Sequence, residues 1–314
     1  MILNIMLLII GFVLLVKCAD IFVDGCSNIA RALGISSIII GLTIVAFGTS
    51  APEAAVSIIA SLKGNNDISI GNVVGSNICN LLLVLGISGL FGKLTTKKNV
   101  IARDYVYSLF SYLVLFILTV GFFLTGKTTG TITRTDGLIL LCFLAIYLYS
   151  LLFDAKKTTK KKEERGEFHF KDIIFIIIGL AGIVGGGQLV VNNAKAIATF
   201  LGVSDNVIAL TVVAIGTSLP ELVTSVVAAR KGECDIAIGN VIGSNIFNIF
   251  FILGLSSIVS PISFGLETFI DIIIMGIAGI IVFFFVLKNY RIGNKKGPIM
   301  ITLYILYTIY ILIR

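Results

Sequence analysis

The stretch GTSAPEAAVSIIASLKGNNDISIGNVVGSNICN, Gly48 to Asn80, recurs as GTSLPELVTSVVAARKGECDIAIGNVIGSNIFN, Gly216 to Asn248, at a constant offset of 168 residues and without a gap. Between residues 40–88 and 208–256, 28 of 49 positions are identical, concentrated in GTSxPE and GNVxGSNIxN. Elsewhere the halves agree mainly in hydrophobicity. The chain is therefore a tandem duplication. Each copy keeps one carboxylate, Glu53 or Glu221, inside an apolar stretch. Insertion scales put the cost of a carboxylate in hydrocarbon at about 2.5 to 3.5 kcal/mol, so such a pair demands a compensating cation or proton.

The surrounding composition supplies the hydrocarbon. Hydrophobic residues make up 57% and charged residues 13% of the 314, with a mean hydropathy of +1.07. A water-soluble domain of this size does not carry that balance. Apolar segments of spanning length fall near residues 2–24, 36–61, 68–90, 104–125, 136–153, 172–193, 206–229, 236–259, 267–287 and 298–313. The expected fold is an all-α polytopic membrane protein of ten transmembrane helices. The first segment lacks a basic start and a small-residue cleavage site and contains Lys17 and Asp20, so it reads as a retained span.

Basic residues set the orientation. With the amino terminus outside, 18 of the 24 lysines and arginines fall in inner loops, which predicts a cell-membrane protein with both termini outside. The net charge of +7 then follows from topology and attraction to anionic lipid, with no nucleic acid required. The longest polar run, residues 154–171, divides the chain into residues 1–153 and 172–314, five spans each, joined by a charged cytoplasmic linker. An odd number of spans inverts the second copy. Inverted repeats are the architecture of secondary transporters, which bind cargo near the midplane where the repeats meet.

Within one motif, Ala46, Thr49, Ser50 and Glu53 share a helix face at spacings of three and four. Pro52 lacks an amide hydrogen and its ring collides with the carbonyl of Gly48, so a kink is expected around Ala46 to Ser50, with carbonyls freed as ligands. Pro220 does the same near Ala214 and Thr217. Ser76 and Asn80, with Ser244 and Asn248, form the matching polar stripe on the partner helices. Asn72 and Asn240 read as interhelical hydrogen-bonding residues; Asn77 and Asn245 stand between that role and a ligand role. All the donors are hard oxygens, a set that suits calcium or sodium. Two glutamates carry −2, which balances one calcium or two sodium ions, and competition at a shared site gives exchange.

GTSAPE with GNVVGSNICN, and GTSLPE with GNVIGSNIFN, resemble the paired alpha repeats of the sodium/calcium exchanger family, within the calcium/cation antiporter superfamily and among its prokaryotic members. The resemblance covers both halves. It implies two inverted five-helix repeats and alternating access, usually with three sodium ions entering for one calcium leaving. Glu53 and Glu221 resemble the family's central carboxylates. Thr49 and Thr217 would supply backbone oxygens to calcium; Ser50 and Ser218 hydroxyls, and Ala46 and Ala214 carbonyls, would serve flanking sodium sites completed by Ser76 and Ser244. Asn80 and Asn248 would lie at the centre. The first and sixth helices would slide past the core.

One departure bears on selectivity. Potassium-dependent relatives typically have an aspartate where this chain has Asn248, so potassium independence is expected. The alternatives are a proton/calcium antiporter, since desolvation eases protonation of a buried glutamate, and a cation channel with an acidic constriction. Enzymatic chemistry is not expected: the single histidine, His169, lies in the charged linker. No cofactor and no protein partner is called for, and a monomer suffices; calcium, sodium and the bilayer are the expected partners.

Overall fold

Backbone embedded in hydrocarbon must satisfy its own polar groups, and a chain this apolar folds accordingly into packed helices. The structure, a computed structural model, describes residues 1–92, 94–96, 98–158, 166–202, 214–293 and 295–314. Among the described residues eight helices are long and apolar enough to cross a membrane, and one bent pair makes nine. Of the expected span 206–229, residues 206–213 lie outside the described residues, as do residues 159–165 of the linker.

Helix α1 (Ile2–Leu33) continues past the expected end near residue 24. The reason is its partner, α7 (Phe170–Phe200), which also outruns its expected span. Gly11 approaches Gly186 and Val190, Cys18 approaches Gly182, Phe22 approaches Gly179, and Gly25 reaches the carbonyl of Asp172, so the two helices pack antiparallel along their lengths. Small residues let the backbones come close where no hydrophobic force drives helices together in lipid. Gly34 ends α1 at φ 68°, its amide on Arg31 O at 3.1 Å and that of Ile35 on Ala30 O at 3.0 Å.

The chain then forms α2 (Ser37–Thr49) and α3 (Ala51–Leu62), bent by 47° at Ser50, where Pro52 sits in the first turn of α3. The expected kink is therefore present. Within the expected stretch Ala46 to Ser50, the carbonyl of Ala46 stays in the helical ladder and accepts the Ser50 amide at 3.1 Å, since the donor that Pro52 lacks is the one that would have served Gly48. In the second half α8 (Ala214–Thr217) and α9 (Leu219–Arg230) break in the same way at Ser218, with Pro220 in the first turn.

At the centre lie α4 (Ile68–Phe91) and α10 (Cys234–Val259), the most deeply buried of the spans. Their ladders widen into π turns at Asn80–Val84 and Asn248–Leu253, a local distortion common at functional positions. Gly239 and Gly243 of α10 press on the backbone of α2: a Cβ at Gly239 would lie 2.9 Å from Ile38 O, and one at Gly243 would lie 2.8 Å from Leu42 O. The outer layer comprises α5 (Ile101–Leu124), α6 (Arg134–Lys157), α11 (Leu266–Leu287) and α12 (Lys296–Ile313). Their outward apolar side chains, Ile117 and Ile280 among them, form a lipid-facing surface.

Two short antiparallel ribbons join first-half to second-half loops. Strand β1 (Leu94–Thr95) pairs with β4 (Arg291–Ile292), and β2 (Thr129–Ile132) pairs with β3 (Ile262–Gly265). Asp20 and Asp24, both exposed on α1, reach across the fold to Lys231 Nζ, at 2.8 and 2.7 Å. Beside them Ser27 donates to Glu233 Oε1 at 2.5 Å and Arg31 approaches it at 3.1 Å.

Candidate functional site

Because α2–α3 and α8–α9 break at Ser50 and Ser218, the residues after each break face the opposite copy. The Ser50 hydroxyl donates to Glu221 Oε1 at 2.9 Å, and the Ser218 hydroxyl donates to Glu53 Oε1 at 3.2 Å. Each glutamate also accepts from a serine of its own half: Ser76 to Glu53 at 3.4 Å and Ser244 to Glu221 at 3.3 Å. Both carboxylates are wholly buried. Among the described residues neither has a lysine or arginine partner.

The remaining oxygens carry the argument. Glu53 Oε2, Glu221 Oε2, Asn80 Oδ1 and Asn248 Oδ1 are all buried and accept no hydrogen bond. Buried acceptors without a donor are rare in folded proteins, and four from equivalent positions of two halves are not an accident of packing. A carboxylate left unpaired in low dielectric costs several kcal/mol, so the array is complete only with a positive charge. The donors are hard oxygens with a formal charge of −2, the chemistry that fits calcium or sodium. No group of three or more His, Cys, Asp or Glu side chains occurs among the described residues, so neutral oxygens must supply much of any coordination here.

Around this centre the helices are tied by polar bonds that repeat at the 168-residue offset. Asn72 Nδ2 donates to Ser57 Oγ at 3.0 Å and to Glu53 O at 3.3 Å; Asn240 Nδ2 donates to Ser225 Oγ at 3.0 Å and to Glu221 O at 3.3 Å. Their Oδ1 atoms accept from the threonines of the opposite copy, Thr217 on Asn72 at 3.3 Å and Thr49 on Asn240 at 2.9 Å. The threonine side chains thus fasten helices together. Ala46 O accepts from Ser244 Oγ at 3.4 Å in addition to its helical bond. Ala214 opens α8, and residues 203–213 before it lie outside the described residues.

Ten of the twelve expected residues accordingly take part in three hydrogen-bonded groups: Asn80 and Asn248 with Asn245 and Asn77; Ser76, Thr217 and Ser218 about Glu53; and Thr49, Ser50 and Ser244 about Glu221. Ala46 joins the last of these through its carbonyl. Sequence reasoning missed Ser57 and Ser225, although each stands four residues after its glutamate, on the same helix face and in both copies. It also missed Tyr112, whose hydroxyl accepts from Asn245 Nδ2 at 2.7 Å, and Met275, whose sulfur accepts from Asn77 Nδ2 at 3.7 Å. These lie on α5 and α11, where the halves have no repeated motif to draw the eye.

Three comparisons bear on the site. The family model described as "Sodium/calcium exchanger protein" matches residues 3–153 and 171–313. The sodium/calcium exchanger MaX1 of Methanosarcina acetivorans is 36% identical over 98% of this chain and 97% of its own, and the putative antiporter CaxA of Alkalimonas amylolytica is 40% identical over 81% and 80%. The solved structure of the sodium-calcium exchanger NCX_Mj, soaked with 2.5 mM Na+ and 0.1 mM Ca2+, superposes with a TM-score of 0.82 at 35% identity, covering 98% of this chain and 97% of that one.

Proposed function

Since the chain belongs to the sodium/calcium exchanger protein family, we propose that it exchanges sodium for calcium across the cell membrane, with Glu53 and Glu221 as the shared carboxylates. The observation that carries the proposal is the set of four buried, donorless oxygens on Glu53, Glu221, Asn80 and Asn248. One calcium or two sodium ions neutralise the pair, so both ions compete for one negative centre and only a loaded site is electrically satisfied. That competition couples the two fluxes. In our reading the ligand set comprises Ala46, Thr49, Ser50, Glu53, Ser76 and Asn80 from one half, and Ala214, Thr217, Ser218, Glu221, Ser244 and Asn248 from the other. The four serine hydroxyls donate to the carboxylates in the present arrangement, and their lone pairs remain available to a cation beside them.

The architecture we propose is two inverted five-helix repeats, residues 1–153 and 172–314, joined by the cytoplasmic linker 154–171, with both termini outside. Support comes from the antiparallel packing of α1 on α7, which are equivalent at the repeat offset. Alternating access would then move that pair against the remaining helices, over contacts such as Gly48 on Leu180 and Gly187 on Pro220.

The test is uptake of calcium-45 into proteoliposomes loaded with sodium. Uptake should require the outward sodium gradient and fall at least a hundredfold in Glu53→Gln and in Glu221→Gln, about 2.7 kcal/mol of lost binding or more. Uptake driven by a pH gradient alone would reassign the coupling ion to the proton. With asparagine at both position 80 and position 248, replacing potassium by choline should leave the rate unchanged; loss of exchange without potassium would refute that part of the reading.

A further inference from the structure

Asn77 and Asn245 are wholly buried, adjoin the candidate site and contribute none of its donorless oxygens. Each instead faces the equivalent helix of the opposite half. Asn245 Nδ2 donates to the backbone carbonyl of Asn77 at 3.4 Å, and Asn77 Nδ2 donates to the backbone carbonyl of Asn245 at 3.3 Å. Their side-chain oxygens then accept from the central amides, Asn80 Nδ2 on Asn245 Oδ1 at 3.0 Å and Asn248 Nδ2 on Asn77 Oδ1 at 3.0 Å.

This chain of bonds has one consistent direction. An isolated amide can turn over and exchange its oxygen for its nitrogen, but a backbone carbonyl on a helix cannot. The carbonyl of Asn77 therefore fixes Asn245 with its nitrogen inward to that carbonyl, which leaves the Asn245 oxygen facing Asn80. Asn80 must answer with its nitrogen, and its oxygen is thereby turned away from the clamp, donorless. The same logic runs from the carbonyl of Asn245 through Asn77 to Asn248. Turning Asn80 alone would set two oxygens against each other at 3.0 Å.

From this geometry, and resting on the exchange reading above, we infer that Asn77 and Asn245 are positioning residues: a crossed clamp that aims the side-chain oxygens of Asn80 and Asn248 at the transported cation. The clamp requires a hydrogen-bond donor at positions 80 and 248, so it admits an amide and rejects an ionised carboxylate, and it holds the formal charge of the centre at −2. The two arms differ in their outer support. Asn245 is braced by the Tyr112 hydroxyl at 2.7 Å, itself the acceptor of a hydrogen bond from Ser108 at 2.8 Å, whereas Asn77 is backed, among the described residues, by the thioether of Met275.

The pairing is diagonal, and a double-mutant cycle can read that. In sodium-loaded proteoliposomes of the full chain, Asn245→Leu should raise the calcium half-saturation about tenfold, the scale of lost second-layer support at metal sites, with the maximal rate within about twofold of wild type. In an Asn80→Ala background the same substitution should change half-saturation less than twofold, while in an Asn248→Ala background it should keep its full effect. Asn77→Leu should behave conversely. Asn77→Ser and Asn245→Ser, which retain a small donor and acceptor, form a second set should the leucine variants not fold, and calcium-dependent shifts in thermal unfolding give a readout independent of transport. Additive effects along both diagonals would overturn the clamp while leaving the exchanger intact. A wild-type protein that neither binds nor exchanges calcium would overturn the exchange reading and the clamp together.

Discussion

Each candidate carboxylate spends one oxygen on serine hydroxyls and keeps the other free, and that division is built across the halves: Ser50 serves Glu221, and Ser218 serves Glu53. A hydrogen bond to a charged acceptor contributes about 1.5 to 3 kcal/mol, so these contacts decide where the free oxygen points. Ser50→Ala should raise the sodium half-saturation of exchange by roughly threefold or more, with Ser50→Thr retaining most of the wild-type value; the sodium dependence of calcium release from loaded vesicles measures both. Much of this site was legible in the sequence, because the duplication prints Glu53, Ser76 and Asn80 twice at one offset and marks them as chemistry rather than packing. Tyr112 and Met275 were not legible. They act on Asn245 and Asn77 from helices whose sequences report only hydrophobicity, and nothing but the fold brings them there.

At the level of the helix, the bend at Ser50 and the glycines of α10 work together. The break lets Ser50 and Glu53 face the other copy, and the glycines let α2 come close enough for that to matter. Gly243→Ala would set its new methyl 2.6 Å from Ala46 Cβ and 2.8 Å from the carbonyl of Leu42, neither of which can yield cheaply. Overpacking of this kind costs about 1 to 3 kcal/mol. Thermal unfolding in detergent should show that loss for Gly243→Ala, against little change for Gly276→Ala, where no described atom lies within 4 Å. Sequence reading anticipated the kink from Pro52 over Ala46 to Ser50; within that stretch the carbonyl of Ala46 remains bonded to the Ser50 amide. It also ended the first span near residue 24; α1 runs on to Leu33 because α7 packs along it, a contact the sequence does not announce.

Considered as a whole molecule, the duplicated chain is symmetric at its centre and asymmetric at its ends. The positions equivalent to Asp20, Asp24 and Lys231 are Gln188, Asn192 and Lys63, so the carboxylates that hold the end of α1 have neutral amides as counterparts. Gln188 donates to Asn192 within α7 instead. Partial burial works against the charge on Lys231, yet its bonds to Asp20 and Asp24 outweigh that and lift its pKa above the ordinary lysine value. A raised lysine keeps its stabilising charge at all lower pH and loses it only as pH climbs through that elevated value, so the lysine side of this contact is constant across the physiological range. Ion pairs this exposed contribute up to about 1 kcal/mol each and weaken with salt. Asp20→Gln combined with Asp24→Asn, which copies the opposite end, should lower thermal stability by about 1 kcal/mol at low ionic strength and by less in molar salt.

The two ribbons that cross between the halves have a consequence for the order of events as the protein is made. Strands β1 and β2 leave the ribosome before their partners β4 and β3 exist, and the same delay separates Glu53 from Ser218 and Asn80 from the Asn245 side-chain oxygen it donates to. Synthesis at about 5 to 20 residues per second keeps the leading half waiting for roughly ten to thirty seconds with its hydrogen-bonding edges and its carboxylate unanswered. The nascent chain must therefore be inserted first and assembled afterwards, and the second half acts as the template on which the first completes its folding.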